Sequence, residues 1–236
     1  MTAAVIRRRV LVVVRDWAYA ILQWVRSMLT REPAGLLAEV EDACGLPVLL
    51  LPGILETWRF QLPLARALVR QGHSVLVVPG LGLNLRSLEA SADIVARQMK
   101  EWGERDLVVV AHSKGGLIAK QLLLDPRTQA RIRGVVAVGT PFGGSPLSVR
   151  VFARSPLGMF SPTGPVITRL TGERGVNARI VSLAAAWDEM VPTGSRLEGG
   201  TNVPLELEGH FLPLTSPLVH EIAHHWVHAI VDTRDL

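Results

Sequence analysis

The stretch Val108-Val109-Val110-Ala111-His112-Ser113-Lys114-Gly115-Gly116-Leu117 decides the fold. It reads as a buried strand that runs into a serine and passes at once into a helix. Such a turn has to be tight, so the positions two before and two after the serine need small side chains. Ala111 and Gly115 supply them. The turn lifts the Ser113 hydroxyl above the sheet and sets it at a helix N-terminus, which stabilises developing negative charge. A small-x-Ser-x-Gly match alone is common. Its place between a strand and a helix gives it weight against the plainer reading, a strand–helix turn with a capping serine.

The same alternation continues on either side. Short apolar strands are expected at Val48–Leu51, Ser74–Val78, Leu107–Ala111, Val135–Gly139, Ile180–Ala185 and Val203–Leu207. Helices are expected near Trp58–Arg70, Leu88–Trp102, Gly115–Leu124 and Pro217–Val231, the last with Ser216 as N-cap and Pro217 in its first turn. Strands alternating with helices imply an α/β fold of three layers, a mainly parallel sheet with helices on both faces. Residues 46–236 make one domain on this reading. Residues 1–45 form a basic amphipathic helix and a connector with Pro33, Gly35 and Gly45 as breakers.

A serine hydroxyl near its free pKa is a weak nucleophile and needs a base. Of seven histidines, His210 sits in Glu208-Gly209-His210-Phe211, between the last strand and the closing helix. That is the strand edge where catalytic groups collect in such sheets. His112 lies inside the turn itself, where a packing or hydrogen-bonding role is the plainer one. Asp188, in Trp187-Asp188-Glu189-Met190, follows the strand at 180–185 and is the expected orienting carboxylate. The order Ser113, Asp188, His210 is the one this fold uses. An oxyanion needs preorganised donors. Lys114 N–H is one. Ile54 N–H, in the loop Leu51-Pro52-Gly53-Ile54-Leu55, is the other, with Leu55 as second choice. Leu55, Phe142 and Phe211 are the expected substrate contacts.

Together these residues resemble the lipase and esterase branch of the α/β-hydrolase superfamily. The resemblance covers Pro47 to about Val231. It rests on Leu51-Pro52-Gly53, Ala111 to Gly116, Gly139-Thr140-Pro141-Phe142-Gly143-Gly144-Ser145, Asp188 to Pro192, and Gly209-His210. It implies hydrolysis of apolar or lipid-like esters through an acyl-enzyme, without a metal or an organic cofactor. The chain departs from the pattern at Ala111, in place of the first glycine, at Lys114, in place of an apolar or amide residue, and at Pro52, in place of histidine. The same triad would serve an acyltransferase or amidase, and the fold without turnover would serve a membrane-associated interaction protein.

Other stretches carry less. About forty residues separate the strands at 135–139 and 180–185, long for a connection inside one domain. Phe142, Val149, Phe152, Leu157, Met159, Phe160, Val166, Ile167 and Leu170 make them apolar, so a lid-like insertion at about 144–177 and a fixed excursion are both open. The net charge is +4, yet residues 1–31 alone carry +5 and the remainder −1, which argues against a nucleic-acid surface on the body. Residues 5–29 mix arginine and tryptophan with an apolar majority, and Arg15-Asp16 breaks the run short of a membrane span. Either they meet a lipid surface, at the cytoplasmic face of the membrane, or they pack on the domain or a second subunit. In the lipid reading, deletion of residues 1–31 releases the chain from liposomes and leaves hydrolysis of a soluble ester largely intact. One cysteine, Cys44, excludes an intramolecular disulfide and multi-thiolate zinc sites. His220-Glu221-Ile222-Ala223-His224, with His228 beyond it, matches a zinc-peptidase pattern. Its histidines are expected on the solvated side of the closing helix, which leaves peptidase chemistry as the weaker reading. The oligomeric state stays open.

Overall fold

In the computed structural model, which describes residues 2–29, 45–150 and 156–232, six short strands carry the alternation. They are β1 (Val48–Leu51), β2 (Val75–Val77), β3 (Leu107–His112), β4 (Ile132–Val138), β5 (Ile180–Trp187) and β6 (Thr201–Glu208). Neighbouring strands pair in parallel, in the order β2-β1-β3-β4-β5-β6. The helices are α1 (Ala3–Leu29), α2 (Leu62–Arg70), α3 (Leu88–Glu101), α4 (Lys114–Leu124), α5 (Leu147–Arg150), α6 (Pro165–Gly172) and α7 (Pro217–Asp232). Residues 30–44, which hold most of the expected connector, and Phe152 lie outside the described residues.

Side chains alternate across the sheet, so each strand feeds two cores. Leu49, Leu51, Val109, Ala111, Val135 and Ala137 meet α3, α4 and α6 on one face. Val48, Leu50, Val108, Val110, Val136 and Val138 meet α1, α2 and α7 on the other. Because both faces are covered, β1 and β3 are buried throughout. The strand order reverses between β1 and β3, which is where open α/β sheets form their crevice. The Pro52-Gly53 loop and Ser113 stand at the ends of those two strands.

Several expectations shift. The chain enters α2 through a 3-10 turn at Trp58–Gln61, because Pro63 suits only a first helical turn. β4 begins at Ile132, ahead of the expected Val135. Arg133, its one exposed residue, masks the apolar run and pairs with Asp106. Part of the expected insertion is core: Phe160, Ile167 and Leu170 are buried in the cluster that holds α4.

α1 packs on the domain by its polar seam. Asp16, Ala20, Gln23 and Ser27 are buried, while Val10, Leu11, Val14, Ile21, Leu22, Val25, Met28 and Leu29 are exposed. This inverts the usual amphipathic rule. Gln23 donates to Phe60 O. Trp17, Trp24, Phe60 and Phe211 pack across the junction, edge-on except for the tilted Trp24–Phe60 pair, with ring centres 5.7–6.3 Å apart. Among the described residues no helix is long and apolar enough to cross a membrane.

Candidate active site

Ser113 takes φ 50° and ψ −118°, a conformation that side chains rarely hold and that marks a strained turn. The strain follows from close packing. A Cβ on Gly115 would run into Leu51 O, and one on Gly116 into the Thr140 side chain. Glycine at both positions lets α4 start against the end of β1, and Ser113 N–H is held by Val138 O at 2.9 Å. The hydroxyl therefore projects from a fixed base.

The structure brings Ser113, His210 and Asp188 together. His210 Nε2 lies 3.0 Å from Ser113 Oγ, and His210 Nδ1 lies 2.8 Å from Asp188 Oδ2. The other Asp188 oxygen accepts the backbone N–H of Met190 at 2.8 Å and of Val191 at 2.9 Å. All three residues are buried. Burial disfavours the His210 imidazolium, but the Asp188 carboxylate, with Glu56 and Asp16 behind it, outweighs burial and raises His210 to about 9.

Two carboxylates not expected from the sequence hold this arrangement. Glu56 accepts Gly53 N–H on one oxygen at 2.8 Å and meets His112 Nδ1 on the other at 2.7 Å. His112 Nε2 in turn meets His210 O at 3.1 Å. One buried chain thus joins the loop after β1, the serine turn and the histidine loop. Asp16 of α1 accepts the successive backbone N–H groups of His210, Phe211 and Leu212 at 2.7–3.1 Å. It caps the turn that presents His210. Burial, and then the facing Asp16 carboxylate, push the neighbouring Glu189 up to about 8. Nothing local in the sequence marks Asp16: it reads there as a charge that interrupts an apolar run.

Lys114 turns its side chain away from the serine. Its ammonium donates to Asn84 O at 2.7 Å and Arg86 O at 2.5 Å. Asn84 donates to Pro52 O at 2.8 Å, and Leu55 N–H is taken by Leu83 O at 2.8 Å. The buried cation braces the loop after β1 from behind, and burial lowers it to about 8. Leu55 N–H is thereby spent, which rules against the second choice of oxyanion donor. Ile54 N–H and Lys114 N–H have no acceptor among the described residues.

A cleft of about 500 Å³ opens over Ser113 and His210. Its walls are apolar: Val13, Trp17 and Trp24 from α1, with Leu55, Phe160 and Phe211 among the rest. Phe142, expected at the substrate, does not line it. Its ring is buried in the core beside α4 and α6, because the turn after β4 folds inward, with Phe142 N–H on Thr140 O. The zinc-peptidase pattern does not assemble. His220, expected in solvent, is on the buried side of α7, and its Nε2 meets Leu214 O at 2.7 Å, whereas His224 faces His73.

Comparison with known proteins agrees with this architecture. Residues 47–232 match the family model described as the alpha/beta hydrolase fold. No curated protein matches the sequence. Among solved structures, the mature lipase BlEst2 of Bacillus licheniformis superposes with a TM-score of 0.65 at 15% identity, over 83% of this chain and 96% of that one. The monoacylglycerol lipase of Paleococcus ferrophilus gives 0.52 at 18%, over 80% and 96%. Mouse alpha/beta hydrolase domain-containing protein 10 gives 0.58 at 12%, over 82% and 92%. At such identities the likeness is one of fold. With a family match across most of its length, the chain belongs to the α/β-hydrolase-fold family.

Proposed function

We propose that the protein is a serine hydrolase that cleaves carboxylic esters with apolar or lipid-like acyl groups. The observation that carries the reading is the buried relay from Ser113 Oγ through His210 to Asp188, at 3.0 and 2.8 Å, beneath an apolar cleft. Ser113 Oγ attacks the ester carbonyl as His210 Nε2 takes its proton. The oxyanion is held by Ile54 N–H and Lys114 N–H. His210 then gives the proton to the leaving alcohol, and the acyl group stays on Ser113. Water, deprotonated by His210, releases the acid and restores the serine. Asp188 stays ionised and fixes the ring. Leu55 and Phe211 line the acyl path.

The exposed apolar row of α1 supports a lipid surface as the place of work. It lies opposite the buried seam and beside Val13, Trp17 and Trp24, which line the cleft, and Arg7 and Arg15 flank it towards its N-terminal end, where anionic headgroups would meet them. Docking there sets the cleft mouth beside the source of an apolar substrate. The test is a series of p-nitrophenyl esters, run with liposome sedimentation. Medium or long acyl chains should be preferred over acetate. The triple variant Leu11→Ser, Leu22→Ser, Met28→Ser should leave the liposomes yet keep turnover of a soluble ester. Preference for acetate, with no liposome binding, would remove the lipid reading and leave an ordinary esterase.

A further inference from the structure

A second cluster of chemistry-bearing side chains lies at the opposite end of the sheet. α2 closes in a Schellman motif: Gly72, at φ 87°, donates to Val69 O, and His73 N–H donates to Leu68 O, both at 3.0 Å. This fixes the His73 backbone just before β2, an edge strand. Ser113, Asp188 and His210 follow the other ends of their strands. Against His73, α7 lays His224 and His228, one helical turn apart on one face. The three rings form a near-equilateral triangle, with centres 5.0, 5.2 and 4.6 Å apart. One ring nitrogen from each lies within 4.8 Å of the other two. His73 is buried, and its Nδ1 has no hydrogen-bond partner among the described residues. His224 and His228 are half-buried, so the outer side of the triangle is reachable from solvent.

We propose that His73, His224 and His228 form a binding site for a divalent cation of the zinc class, which pins the closing helix to the β2 edge. Three imidazoles without a carboxylate are a donor set for zinc, nickel or copper, and a poor one for calcium or magnesium. With Zn–N bonds of about 2.0–2.1 Å and tetrahedral angles, ligand nitrogens sit about 3.3 Å apart. The His73 Nε2 to His224 Nδ1 pair, now 2.8 Å apart, opens slightly, and the wider separations close. The proton this pair shares moves to the other nitrogen of the ring that carries it, Nδ1 of His73 or Nε2 of His224, so both rings bind neutral. Water completes the fourth position. The site is distinct from the H-E-x-x-H pattern: it uses neither His220 nor Glu221.

The test is zinc titration of the tag-free, metal-stripped full chain by calorimetry, with Co²⁺ absorption as a geometry probe. One ion per chain and a tetrahedral cobalt spectrum are expected. At a hundredfold excess over the Kd, the unfolding midpoint should rise by about 5–10 °C. His224→Ala and His228→Ala should each weaken binding about tenfold or more and, at the same zinc concentration, cut the rise to about half or less. His225→Ala, an exposed neighbour, should change neither. His73→Ala should behave like the first two, and if that buried change prevents folding, the two helix variants decide. Absence of zinc binding by the unsubstituted chain would overturn the proposal. So would a loss in His225→Ala as large as that in His228→Ala, since the ion would then be held by surface histidines at large.

Discussion

At the scale of single residues, the site depends on buried carboxylates with different tasks. Asp188 orients the His210 ring, while Asp16 orients the backbone that carries it. Asp16→Ala leaves three consecutive amides without their acceptor. It should cost at least about 2 kcal/mol in urea unfolding. By displacing the base it should also lower kcat by on the order of 100-fold. An unchanged kcat in the folded variant would show that the His210 loop is held by other contacts. The raised pKa of His210 carries a sign. A base must be neutral to accept the serine proton, so kcat/KM should climb with pH along a limb that approaches about 9. Asp188→Asn removes the charge that favours the imidazolium, so the limb should move to lower pH while the plateau falls by about 10³–10⁴. Glu189 has the same sign in stability. Its carboxyl is held protonated up to about 8, so folding loses stability as pH rises from the ordinary carboxylate range to that value. Glu189→Gln should abolish that loss, seen as a melting temperature above that of the unsubstituted chain at pH 9.

At the scale of elements, the serine turn and the N-terminal helix show opposite degrees of legibility. The turn was plain in the sequence because its constraint is local. Ala111, Gly115 and Gly116 are small within a few residues of Ser113, and at the two glycines close packing leaves no room for a Cβ. The role of α1 was not plain, because Asp16 meets its partners 194 to 196 positions away. Its buried seam is made of residue types that normally face water. Phe142 was misplaced for a related reason. Apolar character marks a residue for burial but does not say whether it is buried in the core or against a ligand. The helix yields a prediction opposite to the one its composition suggests. Deletion of residues 1–31 removes Asp16, Trp17 and Trp24, and so part of the cleft wall and the cap on the His210 turn. Hydrolysis of even a soluble ester should fall with it. Full retention of that activity in the folded truncation would show that α1 serves only as an attachment.

At the scale of the whole molecule, the alternation of strands and helices foretold the parallel sheet and its two covers. Which helix would cover which face was not legible, since that depends on strand order rather than on pattern. The observed order puts its reversal between β1 and β3, and Ser113, with His210 and Asp188 against it, stands at the end of β3. Opposite them, at the other end of the sheet, the three histidines join α7 to the edge. On the proposed reading, the outer apolar row of α1 is the side of the molecule that meets lipid. All of this rests on an activated serine. The direct measurement is stoichiometric labelling of the intact protein with a fluorophosphonate, read by mass, for the unsubstituted chain and for Ser113→Ala. One adduct per chain on Ser113, absent in the variant, is the expected result. A folded protein that takes no label, or that is labelled equally well without Ser113, would contradict the account.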